Sequence, residues 1–233
     1  MKKYFIITIF LFSNRLFAQT QSNVNTPIGN PVTAYITPEM SDADRKAWDK
    51  YYEWAYPNAT QLDTYGNRSS SGRFNCHGYA WYMMSNEGSG LNDPRWIGYY
   101  YTTDEDIYMT DGSYKEVPNE VSPGKVSWAS GDHSAITTST PGKYRSKWNK
   151  YPLMEHQWDD TPFGTTNLKY YKLCFEKIEN VIIYSDFTKN GCKFLMKNVT
   201  IQNNADINIT VEDWFKIEGT FNAQLGTTLN VVP

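Results

Sequence analysis

Nucleophilic chemistry in this chain has few places to reside. There are three cysteines, Cys76, Cys174 and Cys192, and three histidines, His77, His133 and His156. Cys76 opens an apolar run, residues 74–84 (FNCHGYAWYMM), after a polar loop, residues 66–72 (GNRSSSG). Asn75 is a residue type that caps helices, which would put Cys76 in the first helical turn. There the unpaired backbone N–H groups and the helix dipole favour an anion and lower a thiol's pKa. Gly78 and Ala80 are small enough for a second element to approach closely. Cys76 is therefore the candidate nucleophile.

A thiol nucleophile needs a base. His77 is poorly placed, because neighbours on a helix point about 100° apart. His133 follows Gly131-Asp132 and begins a Thr-rich strand that can lie across the helix start, so it is the candidate base. A third group usually orients the imidazole. Folding residues 143–149 back about Pro141-Gly142 favours Asn149. His156, in PLMEHQWDD, is the better residue type and is ranked ahead of Asn149. A zinc site from three His and one Cys is disfavoured, since the non-adjacent ligands share no short spacing. No metal or organic cofactor is expected. Asp104, Glu105 and Asp106 lack the ligand spacing of a calcium loop and read as a solvated turn.

The elements that must position these groups follow from pattern. Residues 41–56 (SDADRKAWDKYYEWAY) start with capping residues and carry Ala43, Ala47, Tyr51, Trp54 and Ala55 near helical spacing, ending at Pro57. Residues 96–101 read as an aromatic strand. Residues 117–138 and 143–148 read as an antiparallel meander with turns at Pro123-Gly124 and Pro141-Gly142. A helix followed by a meander is an α+β architecture. Beyond residue 190, apolar-polar-apolar triplets recur at roughly eight-residue spacing, which reads as a small stacked β unit.

The whole chain sets limits. It has 233 residues, 40% hydrophobic and 20% charged, which suits a globular protein. A net charge of −3 without a Lys/Arg run argues against a nucleic-acid partner. Met1-Lys2-Lys3, an apolar stretch to Phe12 and Leu16-Phe17-Ala18 read as a cleaved secretory signal, too short to span a membrane. The expected location is secreted, periplasmic or cell-surface. In an exported protein Cys174 and Cys192 can close a disulfide, leaving Cys76 as the odd thiol; two free buried cysteines are the other reading. The expected organisation is a signal peptide (1–18), a loosely held lead-in (19–44), a catalytic domain (45–175) and a C-terminal β-stack domain (190–233).

Asn75-Cys76-His77-Gly78-Tyr79-Ala80, Pro123-Gly124-Lys125-Val126 and His133-Ser134-Ala135-Ile136 resemble, in that order, the motifs of papain-like cell-wall cysteine peptidases of the NlpC-type and CHAP families. The resemblance covers roughly residues 45–165. It departs at Asn75, where those families commonly carry an acid, and at Lys125, where they carry Asp. The C-terminal triplets resemble β-stack domains at the ends of secreted bacterial surface proteins. The resemblance implies a papain-like α+β fold, Cys76 as nucleophile and His133 as base. The implied function is an exported cysteine hydrolase cleaving amide bonds, with peptidoglycan stem peptides as the substrate. The alternative is a non-catalytic module with the same scaffold used for binding.

Overall fold

A computed structural model describes residues 19–85, 88–98, 104–128, 133–164 and 167–233. The expected signal peptide, half of the expected 96–101 strand and the Gly131-Asp132 approach to His133 lie outside these residues.

The architecture is mostly β, with 46% of the described residues in strands and 15% in helices. That corrects the expectation of a papain-like α+β fold. The helix-then-meander order is present, but the meander is part of a large sheet and the helices are few. Residues 19–44 are not a loose lead-in either. They form strands β1 (Thr20–Asn25) and β2 (Pro31–Ile36), which pair antiparallel, and β2 pairs with β4 (Trp96–Ile97). Val24, Val32, Ala34 and Ile97 from this three-stranded sheet enter the main core. Alternate residues of a half-buried strand suffice to anchor it.

Helix α1 (Asp42–Ala55) is capped as its sequence suggests, Ser41 accepting from the Asp44 N–H. Its buried face differs from the expected one. Trp54 and Tyr51 are exposed, whereas Arg45 and Tyr52 are buried. Trp48, Tyr52 and Tyr56 pack against Trp148 and Tyr151, while Arg45 donates to the carbonyls of Ser70 and Tyr65. Large rings and one long cation displaced the small alanines from the contact.

Seven antiparallel strands make the central sheet, in the order β3-β9-β8-β7-β6-β10-β5. They are β3 (Thr60–Leu62), β5 (Tyr114–Val117), β6 (Lys125–Trp128), β7 (Ser134–Thr137), β8 (Lys143–Lys147), β9 (Leu153–Gln157) and β10 (Leu168–Leu173). Against it lies a helix entered at Cys76 and His77 that continues as a π-helix (Gly78–Met83), with Met84 N–H bonded to Tyr79 O at 3.0 Å. Every residue of the π-helix is buried. A Cβ at Gly78 would fall 1.8 Å from the Arg95 carbonyl, so only glycine allows this approach. A short helix α2 (Asp106–Thr110) follows β4.

The C-terminal unit starts at β11 (Phe175–Ile183), earlier than the expected residue 190. It continues through β12 (Phe187–Ile201), β13 (Asp206–Ala223) and β14 (Thr228–Val232), all parallel. Phe175 pairs with Lys193 and Lys193 with Trp214; Ile183 pairs with Ile201 and Ile201 with Ala223. The stacking unit is thus a coil of roughly 20 residues. Each coil contains several of the apolar triplets, so consecutive triplets are neighbours along a coil, not stacked rungs. Phe194, Met196, Val199, Ile201, Ile207 and Ile209 fill its interior. Asparagines stack between neighbouring coils: Asn198 Nδ2 donates to Asn180 Oδ1 and Asn230 Nδ2 to Asn208 Oδ1, both at 2.9 Å. Cys174 and Cys192 form a disulfide where this unit meets the central sheet. Beside it, Lys115 and Lys172 both pair with Glu212, at 2.7 and 2.5 Å.

Candidate active site

Cys76 lies at the start of the helix, as its context suggests. Asn75 Oδ1 accepts from the Gly78 N–H at 2.9 Å, an N-cap, and also from the Ile97 N–H at 3.1 Å. Its Nδ2 donates to Ile97 O at 2.6 Å. One side chain therefore fixes both the helix start and β4.

The thiol is 5% exposed. Burial pushes its pKa up to about 12, and hydrogen bonding from the Ser134 backbone pulls against that rise. The Glu105 charge raises it further, and the backbone N–H groups of His77 and Cys76 lower it. Strand pairing accounts for the Ser134 amide. β7 and β8 pair through Ile136↔Arg145 and Thr137↔Tyr144 and no farther. Beyond that point the Ser134 N–H is available to the sulphur.

Ser134 also anchors a polar chain. Its hydroxyl accepts from Trp81 Nε1 at 2.9 Å and lies 2.9 Å from His77 Nδ1. With the hydroxyl proton given to Nδ1, the imidazole proton sits on Nε2. That nitrogen is 3.7 Å from Glu105 Oε1. Burial, followed by the charges of Asp106 and Asp104, lifts the Glu105 carboxyl to about 7. Sequence reasoning missed Glu105 by reading it as part of a solvated turn. It also dismissed His77 as a direct partner of Cys76, without seeing that the ring reaches the sulphur's neighbour on β7.

His133 precedes Ser134, and its ring lies elsewhere. It stacks on Phe163 with centroids 3.7 Å apart and planes at 11°, and meets Trp128 at 4.6 Å. Neither ring nitrogen has a hydrogen-bond partner among the described residues, nor does Trp128 Nε1. Complete burial, then the charges of His156 and His77, hold its pKa well below the usual value, so the ring is neutral. The structure therefore brings the His133 backbone, through Ser134, to Cys76 but does not hydrogen-bond the imidazole to the thiol.

His156 is 6.5 Å from His133 between ring centroids and makes its own bonds. Its Nε2 lies 2.7 Å from Ser146 Oγ and its Nδ1 2.7 Å from Gln157 O. Burial lowers its pKa to about 4. Asn149 does not orient His133: it sits at φ 58° in the β8–β9 turn, accepting on its Oδ1 from Lys150 N–H. Neither proposed third group is bonded to the base in this arrangement.

Lys147 is a further member that the sequence did not suggest. It is fully buried, its Nζ 5.0 Å over the Phe74 ring, and it donates to the carbonyls of Ser71, Asn149 and Tyr151. Burial lowers its pKa, while three carbonyl acceptors match the three protons of an ammonium. It ties the loop before Cys76 to the β8–β9 turn. Among the described residues no group of His, Cys, Asp and Glu is arranged to hold a metal ion, and no helix is long and apolar enough to cross a membrane.

No family model matches the chain, and neither a curated protein nor a solved structure matches it.

Proposed function

We propose that this chain is an exported cysteine peptidase or amidase acting on amide bonds, with peptidoglycan stem peptides as its substrate, Cys76 as nucleophile and His133 as base. One observation carries the reading. The only free cysteine sits at a capped helix start with the Ser134 amide on its sulphur, and the residue next to Ser134 is a neutral imidazole with both nitrogens unpartnered. A buried polar group left without a partner costs about 1–3 kcal/mol. Such a cost is most readily retained where the group has work to do.

For the reaction, His133 turns from Phe163 toward the sulphur and takes the thiol proton. The thiolate adds to the amide carbonyl, and backbone N–H groups at the helix start hold the oxyanion. His133 returns the proton to the leaving amine, giving a thioester. Water then cleaves the thioester, releasing the acid and restoring the thiol.

The test is mass spectrometry of purified peptidoglycan after digestion with wild type and Cys76→Ala. New termini made only by wild type support the reading; identical digests overturn it. The binding-module alternative is favoured by the burial of Cys76 and its raised pKa. It predicts an unreactive thiol under all substrate conditions.

A further inference from the structure

Away from the thiol, a cavity of about 570 Å³ opens between the β2–α1 connection and the loop that leads to Cys76. Ligand cavities typically measure ~300–1,000 Å³ and are mostly apolar with a few polar groups. Two indoles line this one, Trp48 from α1 and Trp96 from β4, with Met40 and Pro38 between those elements. Both indoles are partly exposed, although ring surface of this size is normally buried. The rim carries Ser41 and the exposed Asp44 and Lys150.

Charge narrows the ligand class. Glu39 lines the cavity, but its carboxylate is occupied by the N–H groups of Met40 and Gly72 and the Ser71 hydroxyl, with Arg45 3.9 Å away. At the rim the Ser41 hydroxyl donates to Asp44 Oδ2 at 2.7 Å, which leaves the other Asp44 oxygen and the Lys150 ammonium there, with no net charge to select an ion. The ligand that suits is neutral and amphipathic, with an apolar face for the indoles and hydroxyls for Asp44 and Lys150. A pyranose ring has that form: axial C–H bonds on one face and hydroxyl groups at its edge.

We infer that this cavity is a saccharide site that seats neutral pyranose units of a glycan strand. Gly72 forms part of its wall, and residues 72–75 run directly from it to Cys76. The inference rests on the hydrolase reading for its biological use: a glycan held here would deliver its attached peptide toward the thiol. The site itself needs no catalysis.

The experiment uses the full chain carrying Cys76→Ala, titrated with the β-1,4-linked tetramer of N-acetylglucosamine and followed by calorimetry and tryptophan fluorescence. Saturable binding is expected. Trp96→Ala should weaken it at least ~10-fold, and Asp44→Ala or Lys150→Ala each by ~2- to 10-fold, the range of one lost hydrogen bond. Melting temperatures within a degree of the parent, on the order of experimental scatter, exclude unfolding as the cause. No saturable binding overturns the assignment, as does binding that none of the three substitutions changes. A sugar-free stem peptide that binds in a Trp96-dependent manner while the tetramer does not makes it a peptide site and overturns it too. Tetramer binding that survives alongside an inert Cys76 in the digest assay keeps the saccharide site and removes the hydrolase reading.

Discussion

His77 Nε2 lies 3.7 Å from Glu105 Oε1, and the two side chains are only 12% and 5% exposed. The other carboxylate oxygen, Oε2, has no hydrogen-bond partner among the described residues. A carboxyl so placed holds its proton to about pH 7, first because of burial and then because of Asp106 and Asp104. Through His77, the state of Glu105 is felt at Ser134, the residue whose amide contacts Cys76.

That raised pKa makes stability depend on pH with a definite sign. The unfolded carboxyl titrates near 4.5 and the folded one near 7. The folded state therefore binds more protons between these values, and this contribution is present below 4.5 and lost as pH rises to 7. Glu105→Gln should flatten that part of the profile, becoming more stable relative to wild type at pH 8 than at pH 5. Melting temperatures of both proteins across pH 4–9 measure it. Parallel curves would mean that the carboxyl is solvated.

Lys147→Met tests the ammonium that joins the loop before Cys76 to the β8–β9 turn. Methionine fills similar volume but leaves the carbonyls of Ser71, Asn149 and Tyr151 without their donor. Leaving a buried polar group without its partner costs about 1–3 kcal/mol. Chemical denaturation of variant and wild type gives the number. A loss below about 1 kcal/mol would show that water satisfies those carbonyls.

Cys174→Ala/Cys192→Ala removes the bond between the end of β10 and β12. A disulfide closing a short loop contributes about 3 kcal/mol. The double variant is expected to unfold at correspondingly lower denaturant, with the C-terminal coils leading. Non-reducing peptide mapping of the wild type should find one free thiol, Cys76. Three free thiols would remove the staple from the account.

What the sequence revealed follows from how local each signal is. The Asn75 cap, the turns at Pro123-Gly124 and Pro141-Gly142 and strands β6 and β8 depend on neighbouring residues, and they were legible. The buried face of α1 depended on which rings Trp148 and Tyr151 would present across the fold, and it was misread. So was the coil period of the C-terminal unit, because the triplets mark bends and faces within a coil, whereas the stacking is set by pairings such as Val199↔Phe221. Glu105 had no local signal at all. An acid flanked by two others looks solvated until helix α2 and His77 are known to close over it.

The relation of His133 to Phe163 permits the most direct test of the proposed mechanism. At rest the imidazole is stacked on that ring, unbonded and neutral, while the Cys76 thiol is held near pKa 12 by burial. Alkylation of Cys76 at pH 7 should therefore be slow in wild type without substrate. Phe163→Ala removes the stacking partner and opens the space beside His133. If His133 serves the thiol, its ring can then turn to it, and alkylation should rise by ~10-fold or more, one factor of ten for each 1.36 kcal/mol gained by the thiolate. Adding His133→Ala to Phe163→Ala should cancel the rise, while adding His156→Ala should leave most of it, since His156 is bonded to Ser146 and Gln157. The comparison separates access from activation: a rise that persists without His133 means that Phe163→Ala merely exposed the sulphur. In that case His133 is not the base, and the binding-module reading gains.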